Sequence, residues 1–588
     1  MYLKACPGYK NKIYLSFVQG YRDESGKTKQ KTIEKIGYLE DLKKIYDDPI
    51  AHFKEIAKQR NAEEVNELVI KNINTKIIDE SNPRKNLGYI IPKRIYKELG
   101  IYEFLKEKSS KLKIEYNLQD IFELLVYSRI LFPNSKLSTY NHKDMYFENY
   151  NFSEKNMYRS FDYLANYKDE ILKLCWNNTK DLYNRDTSNT YYDTTNYYFE
   201  ISYNDIDKID ENGNVIEKGL RKKGPSKEHR KSPIVQMGLL MDNNGLPMYY
   251  DLFPGNESEK TQMRPTLKKT KAKFDIGRTV IVADRGQNTS DNTVFIAGKN
   301  DDDKTNHDGY VYGQSIIGAD EEFRNWAVNQ EGFITDIILD ENNNEIHFKH
   351  KSRIFAKNVQ IKKNNQRTVK YQIYQKQMVY YSQKYADKQK YERELAILKA
   401  KDLIANPGKY TQATSYGCTK YINNISFNKK TGEVADDSNL SLNLDKIKDE
   451  EKFDGYYSIV TSEKHLSDKE IRDIYKGLWK IEETFKITKS ELETRPIFVW
   501  TPESIETHFL SCFIALLIIR LLEQKTNRKY SNHYIIDSLK KYSSTKIEHD
   551  IYLQDFRNDV IKDLEKTFNI DLSHKYLTLS QIKKLLNF

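Results

Sequence analysis

The chain has 588 residues, 38% of them hydrophobic, and its 95 Lys and Arg against 85 Asp and Glu give a formal net charge of +10. This length predicts several domains, and the apolar content excludes wholesale disorder. Widely spaced cysteines at positions 6, 175, 418 and 512 exclude a disulfide scaffold and a zinc-ligand spacing, and indicate a reduced, cytoplasmic protein. The modest positive charge permits a polyanionic partner without demonstrating one.

The first 185 residues are predicted to form two small units. In residues 1–85, NKIYLSFVQGY and KTKQKTIEKIGYL are strand-like and flank the turn-rich RDESGK, so they predict a β-hairpin, followed by a short helix before Gln59. In residues 86–185, apolar residues recur at helical spacing, and Pro133 is expected to end the helix in LQDIFELLVYSRILF. This helical domain could read DNA ends in the helix-turn-helix manner, or it could be a structural layer.

Residues 186–329 change to strand-like alternation. TYYDTTNYYFEI predicts a strand, and IVQMGLLMD and LPMYYDLF predict a hairpin around DNNG. A helix near 260–273, the buried strand TVIVAD, a helix after Asn288 and the strand GYVYGQSII complete the order β-β-β-α-β-α-β. This order predicts an α/β fold with a mixed sheet flanked by helices.

The remainder of the chain is predicted to contain an insertion domain, the second part of the α/β core and a C-terminal tail. Residues 330–452 form a mainly β insertion domain with one helix, and residues 453–525 resume the core with the strand GYYSIVTSE and a helix over 468–491 that Ser467 and Glu470 cap. The apolar stretch 509–525 is shorter than a membrane span and carries Arg520, so a buried helix without membrane contact is expected. Residues 526–588 predict a charged helical tail.

Two aspartates occupy unusual positions on predicted strands. Asp193 lies inside an aromatic and β-branched strand, where a carboxylate requires a cation or hydrogen-bond donors. Asp284 closes TVIVA, and ligands gather at the carboxyl ends of strands in open α/β sheets. The alternative for either residue is a turn former or a helix cap.

A third acid is selected by helical phase. Tyr475, Glu482 and Lys489 are spaced by seven residues, which places them on one face of the predicted helix. Glu483 is turned by about 100° from that face, so Glu482 is preferred. The alternative is a solvated helix face.

YKGLWKIEETFKITK resembles the Tyr-Arg-Glu-Lys signature of DDE transposases encoded by bacterial insertion sequences. The matching positions are Tyr475, Glu482 and Lys489. Leu478 replaces the Arg of the signature, and Arg472 or Lys476 could take over its contact. YYDTTNYYFE, LPMYYDLFPGNESEKT, TVIVADRG and RPIFVWTPESIETHFLSCFIALLIIRLLE are similar to further segments of the family, so the resemblance covers about 186–525.

This resemblance implies a ribonuclease H-like fold in which Asp193, Asp284 and Glu482 hold two Mg²⁺ ions, with Mn²⁺ expected to substitute. Carboxylates without His or Cys suit such hard cations. The implied enzyme acts in the bacterial nucleoid as a homodimer on double-stranded DNA. It cleaves the inverted repeats of its element and joins the 3′ ends to target DNA. Two alternatives are a ribonuclease H-like nuclease without strand transfer and a lapsed DNA-binding descendant, which Leu478 would favour.

Further residues are candidates for DNA contact. The matched positions imply backbone contacts for Tyr475 and Lys489, while Trp479 could either stack on an unpaired base or pack under the sheet. The basic segment GLRKKGPSKEHRK could neutralise phosphates or form a solvated loop. Its candidate residues are Arg221, Lys222, Lys223, Lys227 and Arg230.

Overall fold

The computed structural model describes residues 1–8, 12–22, 28–63, 84–228, 231–298, 307–339, 345–362, 368–412, 414–427, 433–434, 439–548 and 550–587. Contacts within the chain divide it into two compact units, Met1–Ser81 and Asn82–Phe588.

The first unit contains an antiparallel sheet and two helices. Its elements are β1 (Tyr2–Pro7), β2 (Ile13–Arg22), β3 (Thr28–Tyr38), α1 (Leu39–Leu42) and α2 (Pro49–Glu63). The predicted hairpin is confirmed as β2 and β3, and α2 continues past Gln59. β1 pairs with the other edge of β2. The sequence does not predict this strand because YLKACP is short and lacks a regular apolar alternation.

The second unit begins with a short strand and a helical layer. The elements are β4 (Arg84–Asn86), α3 (Ile90–Glu98), α4 (Ile101–Ser110), α5 (Leu118–Leu131), α6 (Lys136–Asn141), α7 (Glu154–Asn166) and α8 (Lys168–Lys180). The predicted helices are confirmed, and α5 ends before Pro133 as expected. IPKRIYKELGIYEFLKE forms α3 and α4, which Gly100 separates by adopting a left-handed conformation with φ 73°.

The predicted β-β-β-α-β-α-β order is confirmed, with one small additional hairpin after the first strand. The elements are β5 (Asn189–Tyr198), β6 (Lys208–Ile209), β7 (Val215–Glu217), β8 (Ile234–Met241), β9 (Pro247–Pro254), α9 (Glu259–Lys273), β10 (Val280–Ala283), α10 (Ser290–Ala297) and β11 (Gly309–Gln314). β8 pairs antiparallel with β5 and β9, whereas β10 pairs parallel with β5 and β11. β8 and β10 are buried throughout, as their apolar runs predict.

The segment predicted as an insertion domain is partly continuous with the main sheet. Its elements, with the helix that precedes it and the strand that follows, are α11 (Glu321–Val328), β12 (Ile334–Leu339), β13 (Glu345–Lys362), β14 (Thr368–Tyr381), α12 (Gln383–Ala405), β15 (Ile422–Asn423), β16 (Ser441–Leu442), α13 (Leu444–Glu451) and β17 (Tyr456–Thr461). In the described residues, nine strands form one sheet in the order β12-β13-β14-β17-β11-β10-β5-β8-β9. β17 pairs with β11 at one edge and with β14 at the other. Strands β12, β13 and β14 therefore extend the main sheet. The part around α12, Ala400 and Tyr421 has a small core of its own.

The predicted helix over 468–491 is two helices. They are α14 (Asp468–Lys476) and α15 (Trp479–Ser490), followed by α16 (Pro502–Lys525). The capping box of Ser467 and Glu470 is confirmed. By length and composition α16 could cross a membrane, but 94% of its most apolar window is buried inside the protein. This burial confirms the prediction of a core helix.

The C-terminal segment is not purely helical, which corrects the prediction. It contains α17 (Asn532–Lys541), β18 (Ser543–Glu548), β19 (Ile551–Gln554), α18 (Asp559–Phe568), β20 (Tyr576–Thr578) and α19 (Leu579–Leu586). Its strands join β4 in a sheet of order β20-β19-β18-β4. Each strand is only three to six residues long, and the partner of β18 is β4, at the other end of the unit in sequence, so local patterns do not reveal the pairing.

Candidate active site

The main sheet brings Asp193 and Asp284 side by side. β5 and β10 are parallel, with Val282 opposite Tyr191, and each aspartate follows two residues later on its own segment. Asp284 is exposed and begins a short 3₁₀ helix, where its Oδ1 accepts hydrogen bonds from the backbone N–H groups of Gly286 at 2.9 Å and Gln287 at 3.3 Å. The capping role considered for Asp284 therefore exists, and it engages one carboxylate oxygen.

The carboxyl group of Asp193 is held in an unfavourable environment for its charge. Burial raises its pKa to about 7, and the negative charges of Asp284 and Glu259 act in the same direction against the attraction of Lys227. The backbone N–H of Thr194 donates to its Oδ1 at 2.7 Å. A half-buried carboxylate beside a second carboxylate is a site that a bound cation would stabilise.

Two lysines predicted as DNA contacts lie beside Asp193. Lys227 donates from Nζ to the carbonyl oxygen of Thr194 at 2.6 Å. Burial lowers the pKa of Lys489 to about 8, and the charge of Lys227 lowers it further while Asp193 opposes both. The strand, the basic segment and α15 therefore bring one carboxylate and two ammonium groups together.

Tyr475 approaches the same end of the sheet from α14. Its ring lies 6.0 Å from that of Tyr457, and its hydroxyl lies against Gly313, which also lies close to the backbone nitrogen of Arg285, the residue after Asp284. Burial raises the pKa of the Tyr475 hydroxyl, which therefore stays protonated and able to donate a hydrogen bond.

The break between α14 and α15 is caused by a tyrosine of β5. The Tyr191 hydroxyl donates to the carbonyl oxygen of Ile474 at 3.3 Å and lies against Gly477, where any side chain would collide with its ring. The backbone tightens there, with the N–H of Leu478 donating to the carbonyl oxygen of Tyr475 at 3.2 Å. The seven-residue phase used to relate Tyr475 to Glu482 does not extend through this turn.

Glu482 is not gathered with the two aspartates. It is exposed on the first turn of α15, and among the described residues no three His, Cys, Asp or Glu side chains lie close enough to hold a metal ion. Its neighbour Glu483 instead forms an ion pair with Arg520 of α16 at 2.9 Å. Asp193 and Asp284 are therefore neighbours on the sheet, whereas Glu482 is not grouped with them.

The residues around the missing signature Arg have separate positions. Leu478 is buried in the core, and Arg472 is buried with its guanidinium 4.8 Å from the centre of the Phe348 ring. Lys476 is exposed. Trp479 is 49% exposed, so the alternative that it packs under the sheet is wrong.

The basic segment carries its own counter-charges. Arg221 and Lys222 form ion pairs with Asp205 at 2.6 Å and Asp207 at 2.7 Å, whereas Lys223 is exposed. Arg230 lies outside the described residues.

The sequence reasoning did not identify Glu259 as a neighbour of Asp193. It is the first residue of α9, and its carbonyl oxygen accepts a hydrogen bond from Gln287 Nε2 at 3.3 Å. Its placement at the start of the helix after the third strand of the predicted order was the available signal.

The family model described as IS1634 family transposase, N-terminal domain, matches residues 7–71. This match supports an insertion-sequence transposase. A transposase is an enzyme that acts on DNA. The matched residues belong to the unit Met1–Ser81, whereas Asp193 and Asp284 belong to the unit Asn82–Phe588. No curated protein matches the chain.

Proposed function

We propose that the chain is a DDE transposase that binds the inverted-repeat ends of its insertion sequence, cleaves them and joins the 3′ ends to target DNA. The observation that carries the proposal is the pairing of β5 with β10, which sets Asp193 and Asp284 next to each other. The match of residues 7–71 to a transposase N-terminal domain supports the same function independently.

The strand order supports a ribonuclease H-like core. β9-β8-β5-β10-β11 are adjacent, the first three antiparallel and the last three parallel, and the first aspartate lies on the central strand β5. In this proposal β17 and β12–β14 are additions at one edge of the core.

Asp193 and Asp284 would hold divalent metal, with Mg²⁺ the expected ion and Mn²⁺ a substitute, because both offer hard oxygen ligands. When bound, such ions supply charge neutralisation at the phosphate undergoing displacement. Glu482 is the proposed third ligand. It is exposed on the first turn of α15, and among the described residues its carboxylate forms no ion pair, so it is available to a ligand.

The remaining residues would position DNA. Lys227 and Lys489 lie next to Asp193 and would bind phosphates that flank the scissile bond, since lysine is an effective point-charge partner for phosphate. The protonated Tyr475 hydroxyl would donate to a phosphate oxygen near Asp284. Exposed Trp479 would stack on an unpaired base. Phosphoryl transfer depends on positioning and charge, so no protein nucleophile is required.

The test is an assay of cleavage and strand transfer with Mg²⁺ and DNA that carries the repeats flanking the gene. Asp193→Ala, Asp284→Ala and Glu482→Ala should each abolish both steps and retain end binding in a mobility-shift assay. Glu503→Ala, which changes an exposed acid on the first turn of α16, is the matched control and should stay active. Wild-type protein that binds the ends without cutting them would contradict the proposal.

A lapsed transposase that only binds DNA is the second candidate. It is favoured by Leu478, which is buried in the core where the signature has Arg, and by the separation of Glu482 from the aspartates. Cutting without joining would instead indicate a nuclease. The size of the complex formed with two DNA ends tests the proposed homodimer.

A further inference from the structure

A small basic cavity lies beside the loop that connects α15 to α16. Its volume is about 100 Å³, and its lining includes Arg129 of α5, Lys136 of α6, Arg495 of the loop, His508 of α16 and the half-exposed ring of Phe498. None of these residues belongs to the proposed catalytic site.

Lys136 is a buried ammonium group without a carboxylate partner. It is 5% exposed, and its Nζ donates to the hydroxyl of Ser511 at 3.3 Å. In the part of the chain that the structure describes, no acid forms an ion pair with it. Burial lowers its pKa to about 7, with a contribution from Arg129 in the same direction. An uncompensated charge in such a place is costly unless an anion joins it.

Arg129 adds a second fixed charge to the same wall. It is 5% exposed, and the backbone carbonyls of Leu492 at 3.2 Å and Asn134 at 3.1 Å accept hydrogen bonds from its guanidinium. Its Nε has no acceptor among the described residues. His508, also buried, contacts the carbonyl oxygen of Thr494 through Nε2 at 3.0 Å.

The nearby acids do not neutralise Lys136 and Arg129. Glu228 pairs with Arg495. Glu493 lines the cavity with an exposed side chain and forms no ion pair with Lys136 or Arg129 in the described residues. The cavity therefore keeps an excess of positive charge.

We propose that this cavity binds one phosphate group. A cavity of about 100 Å³ has room for a single tetrahedral oxyanion beside Lys136 and Arg129. Arg and Lys together offer the directed and point-charge donors that phosphate prefers. The phosphate comes either from a DNA backbone, an assignment that rests on the proposed function, or from a free phosphate.

The experiment is thermal unfolding of the full chain with increasing inorganic phosphate, against sodium chloride at equal ionic strength. Phosphate should raise the Tm of the wild type, as any ligand of the folded state does. Lys136→Met removes the charge and keeps an unbranched apolar side chain of nearly the same length, so it should abolish this shift, whereas Lys155→Met, at an exposed position on α7, should retain it. No phosphate-dependent shift in the wild type, or an equal shift in Lys136→Met, would overturn the proposal.

A measurement on the wild type alone covers the case in which Lys136→Met fails to fold. The ³¹P resonance of phosphate should broaden with protein and sharpen again when sulfate is added. An unchanged line width would overturn the proposal.

Binding of repeat DNA at several salt concentrations identifies the source of the phosphate. A salt slope smaller by about one in Lys136→Met than in Lys155→Met assigns the cavity to a backbone phosphate. Equal salt slopes in the two variants, together with a Tm of the wild type that still rises in phosphate, assign the cavity to free phosphate. Neither result depends on DNA cleavage, so a failure of phosphate binding in the cavity can be distinguished from a failure of the proposed catalysis.

Discussion

Replacing Asp193 with Asn should stabilise the metal-free protein. The substitution removes a half-buried, poorly solvated negative charge and preserves the size of the side chain. Burial raises the pKa of this carboxyl from its ordinary 3.8 to about 7 in the folded state. Each pKa unit corresponds to about 1.4 kcal/mol, so the ionised carboxylate costs roughly 4 kcal/mol at pH 8.

The cost depends on pH in a defined direction. Below pH 3.8 the carboxyl is protonated in both states and costs nothing. Between about pH 4 and pH 7 the folded chain keeps a proton that the unfolded chain has lost, so stability falls as the pH rises. The advantage of Asp193→Asn should therefore grow by about 3 kcal/mol between pH 5 and pH 8.

The assay is urea denaturation in EDTA at both pH values, followed by tryptophan fluorescence. All 4 tryptophans, at positions 176, 326, 479 and 500, belong to the unit Asn82–Phe588, so the signal reports the unit that carries Asp193. Asp291→Asn, at a surface position, is the control. Added Mg²⁺ should stabilise the wild type and leave Asp193→Asn unchanged. A variant no more stable than the wild type at pH 8 would refute the reasoning.

Three further predictions concern the helices around the site. In the same denaturation assay, Glu482→Ala should change the free energy of unfolding by less than about 0.5 kcal/mol. Glu483→Ala loses the ion pair with Arg520 and should cost about 1 kcal/mol. Equal effects of the two substitutions would contradict the geometry. Gly477→Ala should destabilise by roughly 1–3 kcal/mol because its methyl group meets the Tyr191 ring, and it should cost much less in a Tyr191→Ala background than in the wild type. Lys489→Ala should reduce the salt slope of DNA binding by about one in filter-binding measurements, and an unchanged slope would remove it from the DNA interface.

The core of the sheet could be predicted because its signals are local. TYYDTTNYYFEI and TVIVAD carry their strand character within a few residues, and the helices between the strands follow from apolar spacing. Asp193 and Asp284 could be selected for the same reason, since each stands out against its own strand.

The remaining features depend on distant partners. The turn at Gly477 is caused by Tyr191, which belongs to the opposite end of the catalytic segment, so helical phase alone overestimated the alignment of Tyr475 with Glu482. The ion pairs of Arg221 with Asp205 and of Lys222 with Asp207 were likewise invisible in the run of basic residues. Composition identifies charges, whereas only the fold shows which of them are already paired.

The sheet that joins β4 to the C-terminal strands determines when the second unit can finish folding during translation. β4 pairs with β18, and Asn86 Nδ2 donates to the carbonyl oxygens of Leu539 at 2.9 Å and Lys540 at 3.1 Å. While the ribosome is still translating the catalytic segment, the edge of β4 has no partner. The second unit can therefore close only after residues 543–578 have emerged, and a message truncated before them yields a chain with this edge open to aggregation.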